Sequence, residues 1–194
     1  MAVLKIVNHC GKYHDENARA TLERYIKDIW KTDPLFIDGL AVNPKYAAEE
    51  MSKLAEVAGK TSGIQLRHFI LSLAPREARD PIFVLSLARA VAEYYADEYQ
   101  ILFAVHCDHH YLHAHFMMNA VSYKTGLKYP GTKDDYYAFK RHVVHVLKSY
   151  GITSFLRVET HQYNDSQVTE LQAETGVSIA QTNNNQTPHE SETI

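Results

Sequence analysis

The chain has 194 residues, 45% of them hydrophobic and 22% charged, which suits one globular domain with a sizeable core. Its two cysteines are too few for a disulfide framework, and no apolar run approaches the roughly 20 residues that span a membrane. These features argue against a disulfide-stapled secreted domain and against a membrane-spanning protein. The start of the chain lacks a signal peptide, so we expect the cytoplasm as its compartment.

The charge is spread unevenly along the chain. The formal net charge of -3 argues against a nucleic-acid binder, but residues 160–194 hold five acidic residues and no Lys or Arg. The remaining 18 acidic and 20 basic residues give residues 1–159 a net charge of +2, and a local basic patch matters more than that total. Because the last segment is also rich in Gln, Asn, Thr and Ser, we predict one domain over 1–159 and a disordered polar tail or linker over 160–194.

Hydrophobic spacing predicts alternating strands and helices. Strands are predicted over residues 3–7, 36–42, 65–73 and 155–159, and helices over 16–30, 43–58, 81–96 and 134–150. The apolar positions of the first helix place Tyr25 on or beside its inward-facing stripe, where a core tyrosine is the simplest interpretation. Asp134 is the expected N-cap of the last helix, and Gly151 is expected to end it.

The most informative stretch lies between the helices at 81–96 and 134–150. Residues 101–105 form an unbroken apolar run typical of a buried strand, and His106 follows it. After a short turn, alternation along an extended chain puts His113, His115 and Asn119 on one face and apolar residues on the other. Three imidazoles on two antiparallel strands predict a catalytic metal centre, because neutral imidazole binds divalent transition metals. A histidine-rich hairpin without metal is the alternative.

The tight turn between the two histidine strands requires that they pair antiparallel. With strands and helices alternating elsewhere, we predict an α/β fold: a two-layer sandwich with a mainly antiparallel sheet of about five strands, flanked by helices.

Several single residues have more than one interpretation. His68 and Ser72 share one face of the strand at 65–73, and each is more simply explained as an ordinary strand residue. His142 and His145 lie three residues apart on the last helix and could be ligands, although a packed or solvated helix face explains them more simply.

The sequence also resembles, in three places and in the same order, the conjugative relaxases of the HUH endonuclease superfamily, above all the MobP mobilization type. The strongest motif is His106-x-Asp108, four residues, then His113-x-His115-x-x-x-Asn119. The other matching segments are residues 22–26 around Tyr25, residues 59–75 with His68, Phe69 and Ser72, and the loop and helix start at 126–137. The resemblance runs from about residue 3 to residue 151.

The resemblance implies that His106, His113 and His115 bind a divalent metal, Mg²⁺ or Mn²⁺, and that Tyr25 is the nucleophile. It implies single-stranded DNA at a transfer origin as the substrate, nicked through a 5′-phosphotyrosyl intermediate for conjugative transfer. Accessory DNA-binding proteins and conjugation coupling proteins are the implied partners. Tyr111 stands where relatives often have another histidine.

Further residues are expected to serve this chemistry. Asp108 is a catalytic candidate that could orient an imidazole, although a turn-stabilising role fits equally well. His109 or His110 could replace the missing fourth imidazole. The expected DNA contacts are His68, Ser72, Asn119, Lys128 and Lys133. Asn119 could instead fix the edge of the sheet, and either lysine could be an ordinary solvated charge.

Two other classes of function stay open. A three-histidine metal hydrolase would cleave its substrate without a covalent intermediate and would tolerate Tyr25→Phe. A nucleic-acid-binding module whose histidines hold no metal would be indifferent to chelators.

Overall fold

A computed structural model describes residues 1–8 and 12–162 of the chain. The predicted tail therefore lies mostly outside the described residues, and the prediction for 163–194 stays a prediction. The strands are β1 Ala2–Asn8, β2 Ile37–Leu40, β3 Leu66–Ser72, β4 Tyr99–His106, β5 His113–Ser122 and β6 Leu156–Gln162. The helices are α1 Ala18–Ile26, α2 Ala47–Val57, α3 Pro81–Ala96 and α4 Lys133–Ser149, and short 3₁₀ turns cover Lys12–His14, Pro34–Phe36 and Pro44–Tyr46.

The six strands form one sheet in the order β2-β4-β5-β3-β1-β6. All neighbouring strands pair antiparallel except β1 and β6, which run parallel. The mainly antiparallel α/β fold is thus confirmed, with six strands instead of about five. β4 and β5 lie inside the sheet, and all of their residues are buried except His113, which is half-buried.

Helices cover both faces of the sheet, which makes three layers and not the predicted two. On one face, the apolar face, alternate β4 and β5 residues such as Phe103 and Phe116 pack against α3 and α4. On the other face, the histidine face, Leu102, Ala104 and Met117 pack against α1 and α2. The alternation of side chains along an extended strand accounts for this division.

The helix ends explain two differences from the predicted boundaries. α1 ends at Ile26, four residues before the predicted end, and the chain then turns on Asp28, whose carbonyl accepts from the amides of Lys31 and Thr32. The N-cap of α4 is Thr132 and not Asp134, because the Thr132 side chain accepts from the amide of Asp135. Within the described residues, no helix combines the length and the apolar character that a membrane crossing requires.

Candidate metal centre and adjoining tyrosine

Three histidines meet at the end of the β4–β5 hairpin. His106, the last residue of β4, pairs with His113, the first residue of β5, and His115 lies two residues further along. One ring nitrogen from each of the three lies within 4.8 Å of the others. Because a metal–nitrogen bond measures about 2.0–2.1 Å, small side-chain shifts bring these atoms to one shared ion.

Backbone carbonyls fix the tautomers of two of these rings. His106 Nε2 lies 3.0 Å from the carbonyl oxygen of Ile26, and His113 Nδ1 lies 3.0 Å from that of Tyr111. A carbonyl oxygen only accepts, so each of these nitrogens carries the proton and donates. The lone pairs of His106 Nδ1 and His113 Nε2 are therefore left for an ion.

A fourth histidine, His68, and Tyr13 hold the ring of His115. His115 Nδ1 lies 3.0 Å from His68 Nε2, and His68 Nδ1 lies 2.8 Å from the hydroxyl of Tyr13. When His115 Nδ1 donates to His68 and His68 Nδ1 donates to Tyr13, His115 Nε2 is free to bind an ion. A hydrogen bond to the distal nitrogen is the usual way in which proteins orient a metal-binding histidine. His68 is 7% exposed, so its position is behind the centre and not on a DNA-facing surface.

The burial of the centre matches a metal site. Among the described residues, His106 Nδ1 and His115 Nε2 are buried side-chain nitrogens without a hydrogen-bond partner. Burial lowers the pKa of His106 to about 4 and also lowers the pKa of His113 and of His115, the last assisted by the neighbouring imidazoles. Neutral rings with orphaned lone pairs fit a divalent cation, since metal ligation requires the deprotonated nitrogen.

Tyr25 on α1 lies against this cluster. Its half-buried ring is centred 5.2 Å from the ring of His115 and 5.5 Å from that of His106. Nζ of Lys31 lies 4.1 Å from the Tyr25 ring centroid, and its charge acts on all three histidines. Lys31 was not singled out in the sequence, because a lysine just after a predicted helix end has no distinctive signal.

The segment after α1 is fastened to the end of β4. The amide of Cys107 donates to the carbonyl of Lys31 at 2.7 Å, and the Thr32 hydroxyl donates to the carbonyl of Val105 at 2.7 Å. These two bonds flank His106 and keep Lys31 beside the centre.

Two of the expected DNA contacts have contrasting positions. Ser72 pairs with His113 across the sheet and is half-buried next to the centre. Asn119 is 0% exposed, and its amide nitrogen donates to the carbonyl of Met51 and to the side chain of Gln100. Its oxygen accepts from Arg19. The expectation of a DNA contact through Asn119 therefore does not fit the structure, because α1 and α2 cover the histidine face at that depth.

The expected basic contacts also differ from one another. Lys133 is exposed at the start of α4. Lys128 donates to the backbone carbonyls of Ser62 and Ile64, and burial together with the charges of Arg19, Lys60 and Arg67 lowers its pKa. Lys128 and these three neighbours form no ion pair with an acidic residue in the described part of the chain. The group is therefore a basic cluster without internal neutralisation.

Within the described residues, Asp108, His109 and His142 do not join the centre. The carboxylate of Asp108 lies 3.4 Å from Nε2 of His109, and it orients none of the three rings, whose partners are described above. The ring of His109 stacks at 5.7 Å on that of His113 but lies outside the cluster of converging nitrogens. His142 Nε2 donates to the carbonyl of Ala90 on α3, across the sheet from the centre.

Fold and site together define a class: an α/β protein with a three-histidine metal centre and an adjoining tyrosine. The family model of the relaxase MobA/VirD2-like nuclease domain matches residues 25–152, and the chain belongs to that family. The protein is therefore a DNA relaxase with a nuclease domain of the HUH type, and relaxases bind single-stranded DNA.

Other comparisons are more distant. A solved structure reported as the molecular basis of vancomycin resistance transfer in Staphylococcus aureus is 18% identical, covers 69% of this chain and 77% of that chain, and has a TM-score of 0.47. The curated protein sequences include no significant match.

Proposed function

We propose that this relaxase nicks one strand of DNA at a transfer origin for conjugative transfer, and that Tyr25 is its nucleophile. The observation that carries the proposal is the contact of the Tyr25 ring with two of the three converging histidines, His106 and His115. An ordinary core tyrosine would not need to lie over buried imidazoles whose lone pairs are orphaned.

The proposed step is a transesterification. The Tyr25 oxygen loses its proton and attacks the scissile phosphorus, the bond to the 3′-oxygen breaks, and that oxygen takes up a proton. The products are a 5′-phosphotyrosyl link and a free 3′-hydroxyl. Because the covalent link retains the phosphodiester energy, the strand can be rejoined by the reverse step without a nucleotide cofactor.

The chain supplies two groups that favour this step. The ring nitrogens of His106, His113 and His115 would hold a divalent cation, Mg²⁺ or Mn²⁺, which polarises the scissile phosphate and stabilises the charge that develops there. The ammonium group of Lys31, which lies over the Tyr25 ring, favours negative charge on the phenol oxygen and on the phosphate.

The substrate strand would pass Ser72 at the centre and reach basic groups further away. Asn119, at the depth of the basic cluster, is six residues from His113 along β5, which is roughly 20 Å at about 3.3 Å per residue. Lys60, Arg67 and Lys128, which are less buried than Arg19, would thus meet phosphates distant from the scissile one. Lys133 would do the same from α4. His68 acts behind the metal as a positioning residue. Origin DNA, accessory DNA-binding proteins and coupling proteins would be met in the cytoplasm.

A selection experiment tests the proposal with DNA of every sequence, so that the protein itself selects its origin. A labelled pool of random-sequence single-stranded DNA is incubated with the protein and Mn²⁺, and denaturant-resistant protein–DNA adducts are isolated and sequenced. We expect adducts enriched in one sequence. Tyr25→Phe should abolish them, whereas Tyr123→Phe, whose hydroxyl donates to the carbonyl of Ala96, should form them normally.

Two outcomes would contradict the proposal. Adducts that persist in Tyr25→Phe would show that another tyrosine is the nucleophile. Cleavage without any adduct, equally fast in Tyr25→Phe, would favour the alternative of a three-histidine hydrolase.

A further inference from the structure

The turn that follows α1 exposes two large apolar side chains. Trp30 is 86% exposed and Ile29 is 76% exposed. Trp30 is also the only tryptophan of the chain. Large apolar side chains that stay exposed together mark binding surfaces more often than scattered single ones do.

The turn is rigidly held next to the metal centre. The amide of Trp30 donates to the carboxylate of Asp28 at 3.1 Å, and the bonds from Lys31 and Thr32 to the end of β4 continue this anchoring. The next residue, Lys31, lies over the Tyr25 ring. Trp30 is therefore one residue away from a cation that faces the proposed nucleophile.

An open groove lies beside this tryptophan. It has a volume of about 440 Å³, and its lining includes Trp30, Lys31, Asp33 and Cys107, the residue after the metal-binding His106. The groove therefore combines an aromatic side chain with the lysine that lies over the Tyr25 ring.

We propose that Trp30 stacks on an unpaired base of the DNA strand beside the scissile phosphate, and that the groove between Trp30 and Cys107 receives this base. The inference rests on the proposed function and deepens it, because it assigns a substrate contact. Proteins hold single strands by combining positive charge for the phosphates with aromatic side chains for the bases. Lys31 and Trp30 offer this combination in adjacent residues.

A base explains the surface better than a protein partner does. The ammonium group of Lys31 attracts phosphate, and a nucleotide unites an anionic group with a flat apolar one at the distance of neighbouring residues. A stacked base would also limit the rotation of the strand, and would thereby keep the scissile bond in line with Tyr25.

The single tryptophan gives a direct test. Metal-free protein in EDTA is titrated at low salt with a 20-nucleotide thymidine oligomer, and with an abasic 20-mer that has the same phosphates and no bases. We expect the thymidine oligomer to quench the Trp30 fluorescence saturably and the abasic oligomer to bind without quenching it.

Variants separate stacking from general binding. Trp30→Ala should bind the thymidine oligomer about 5- to 150-fold more weakly by anisotropy, and the abasic oligomer as the wild type does. Its affinity should keep the same salt dependence, because phosphate contacts are unchanged. Trp30→Phe should recover most of the loss. Ile82→Ala, which removes a 57%-exposed side chain on α3 across the sheet, should change neither affinity.

The outcomes separate this inference from the proposed function. Equal affinity of Trp30→Ala and wild type, bound thymidine oligomer without quenching, or no binding of that oligomer at all would overturn the stacking, even where Tyr25-dependent adducts form. An equal loss for both oligomers would also overturn it, since the contact would then not be with a base. Quenching without any Tyr25-dependent adduct would instead sustain the base contact and overturn the proposed nicking.

Discussion

The two faces of the central strands β4 and β5 bury side chains of different chemistry. On the apolar face, β4 and β5 present side chains such as Phe103 and Phe116, which are 0% exposed and stack at 5.9 Å. On the histidine face, the same strands bury His106, His115 and Asn119. Burying the apolar side chains stabilises the folded state. Burying the polar side chains destabilises it unless each polar atom finds a hydrogen-bond partner.

Whether a buried polar side chain has hydrogen-bond partners distinguishes a structural role from a functional one. Asn119 is satisfied by Met51, Gln100 and Arg19, so its burial has a structural explanation. His106 Nδ1 and His115 Nε2 have no partner in the described part of the chain. A buried nitrogen whose partner the protein does not supply indicates a ligand.

The largest expected effect is on the apolar face. Phe116→Ala removes a buried ring that also stacks on Phe69 at 4.5 Å, so we expect the free energy of unfolding to fall by about 3–5 kcal/mol. Urea denaturation measures this loss. The affinity of the folded protein for Mn²⁺ should stay within about twofold of wild type, or about 0.4 kcal/mol, because Phe116 lies on the face opposite the histidines. A strong loss of Mn²⁺ affinity would show that the two faces are not independent.

The second prediction concerns metal addition. Mn²⁺ at 100 times its dissociation constant should stabilise the wild type by about 2.7 kcal/mol, because the ion binds the folded state. His115→Ala should abolish this increase in thermal stability. His142→Ala removes a histidine that bonds to Ala90 on the other side of the sheet and should keep it. An equal response of both variants to Mn²⁺ would contradict the assigned centre.

A smaller effect is expected behind the centre. His68→Ala leaves His115 Nδ1 without its acceptor, and we expect Mn²⁺ affinity to fall about 10- to 100-fold, or about 1.4–2.7 kcal/mol. Isothermal titration measures the change. His68→Gln should restore part of it, because the Gln carbonyl can accept from His115. A full loss in His68→Gln would indicate that packing, and not this hydrogen bond, is what His68 supplies.

The smallest effect is expected at the helix cap on the apolar side. Thr132→Ala removes the acceptor for the amide of Asp135 and should cost about 1 kcal/mol of unfolding free energy. Asp134→Ala, in the first turn without that cap bond, should cost less. Thermal denaturation compares the two, and a larger loss in Asp134→Ala would restore the capping role first predicted for it.

The sequence predicted the strands and the histidine cluster well, since both depend on local alternation. α3 begins and ends where the pattern predicted it, with Asp80 as its N-cap and Pro81 in its first turn. The predicted number of layers was wrong. The sequence of an amphipathic helix shows that the helix has an apolar side, but it does not show which face of the sheet that side covers. α1 and α2 could only be assigned to the histidine face from coordinates.

Residues outside the regular pattern were harder to interpret. The alternation of side chains correctly placed Asn119 on the histidine face. It could not predict that α2 covers this residue, so a contact with DNA was expected. His68 was placed on the correct strand face, yet its bond to His115 depends on the β3–β5 register, in which Ile70 pairs with His115. The predicted helix ran to Trp30, but α1 ends at Ile26. The turn that holds Trp30 and Lys31 beside the centre depends on hydrogen bonds to the distant end of β4.

The C-terminal end of α1 supports both the proposed nucleophile and one of the metal-binding rings. Ile26, whose carbonyl secures the ring of His106, directly follows Tyr25 in the chain. Fraying of this last turn would release the proposed nucleophile and loosen the grip on the cation in a single event. A molecule whose α1 end has unfolded would therefore lose the proposed cleavage and the proposed rejoining at the same time.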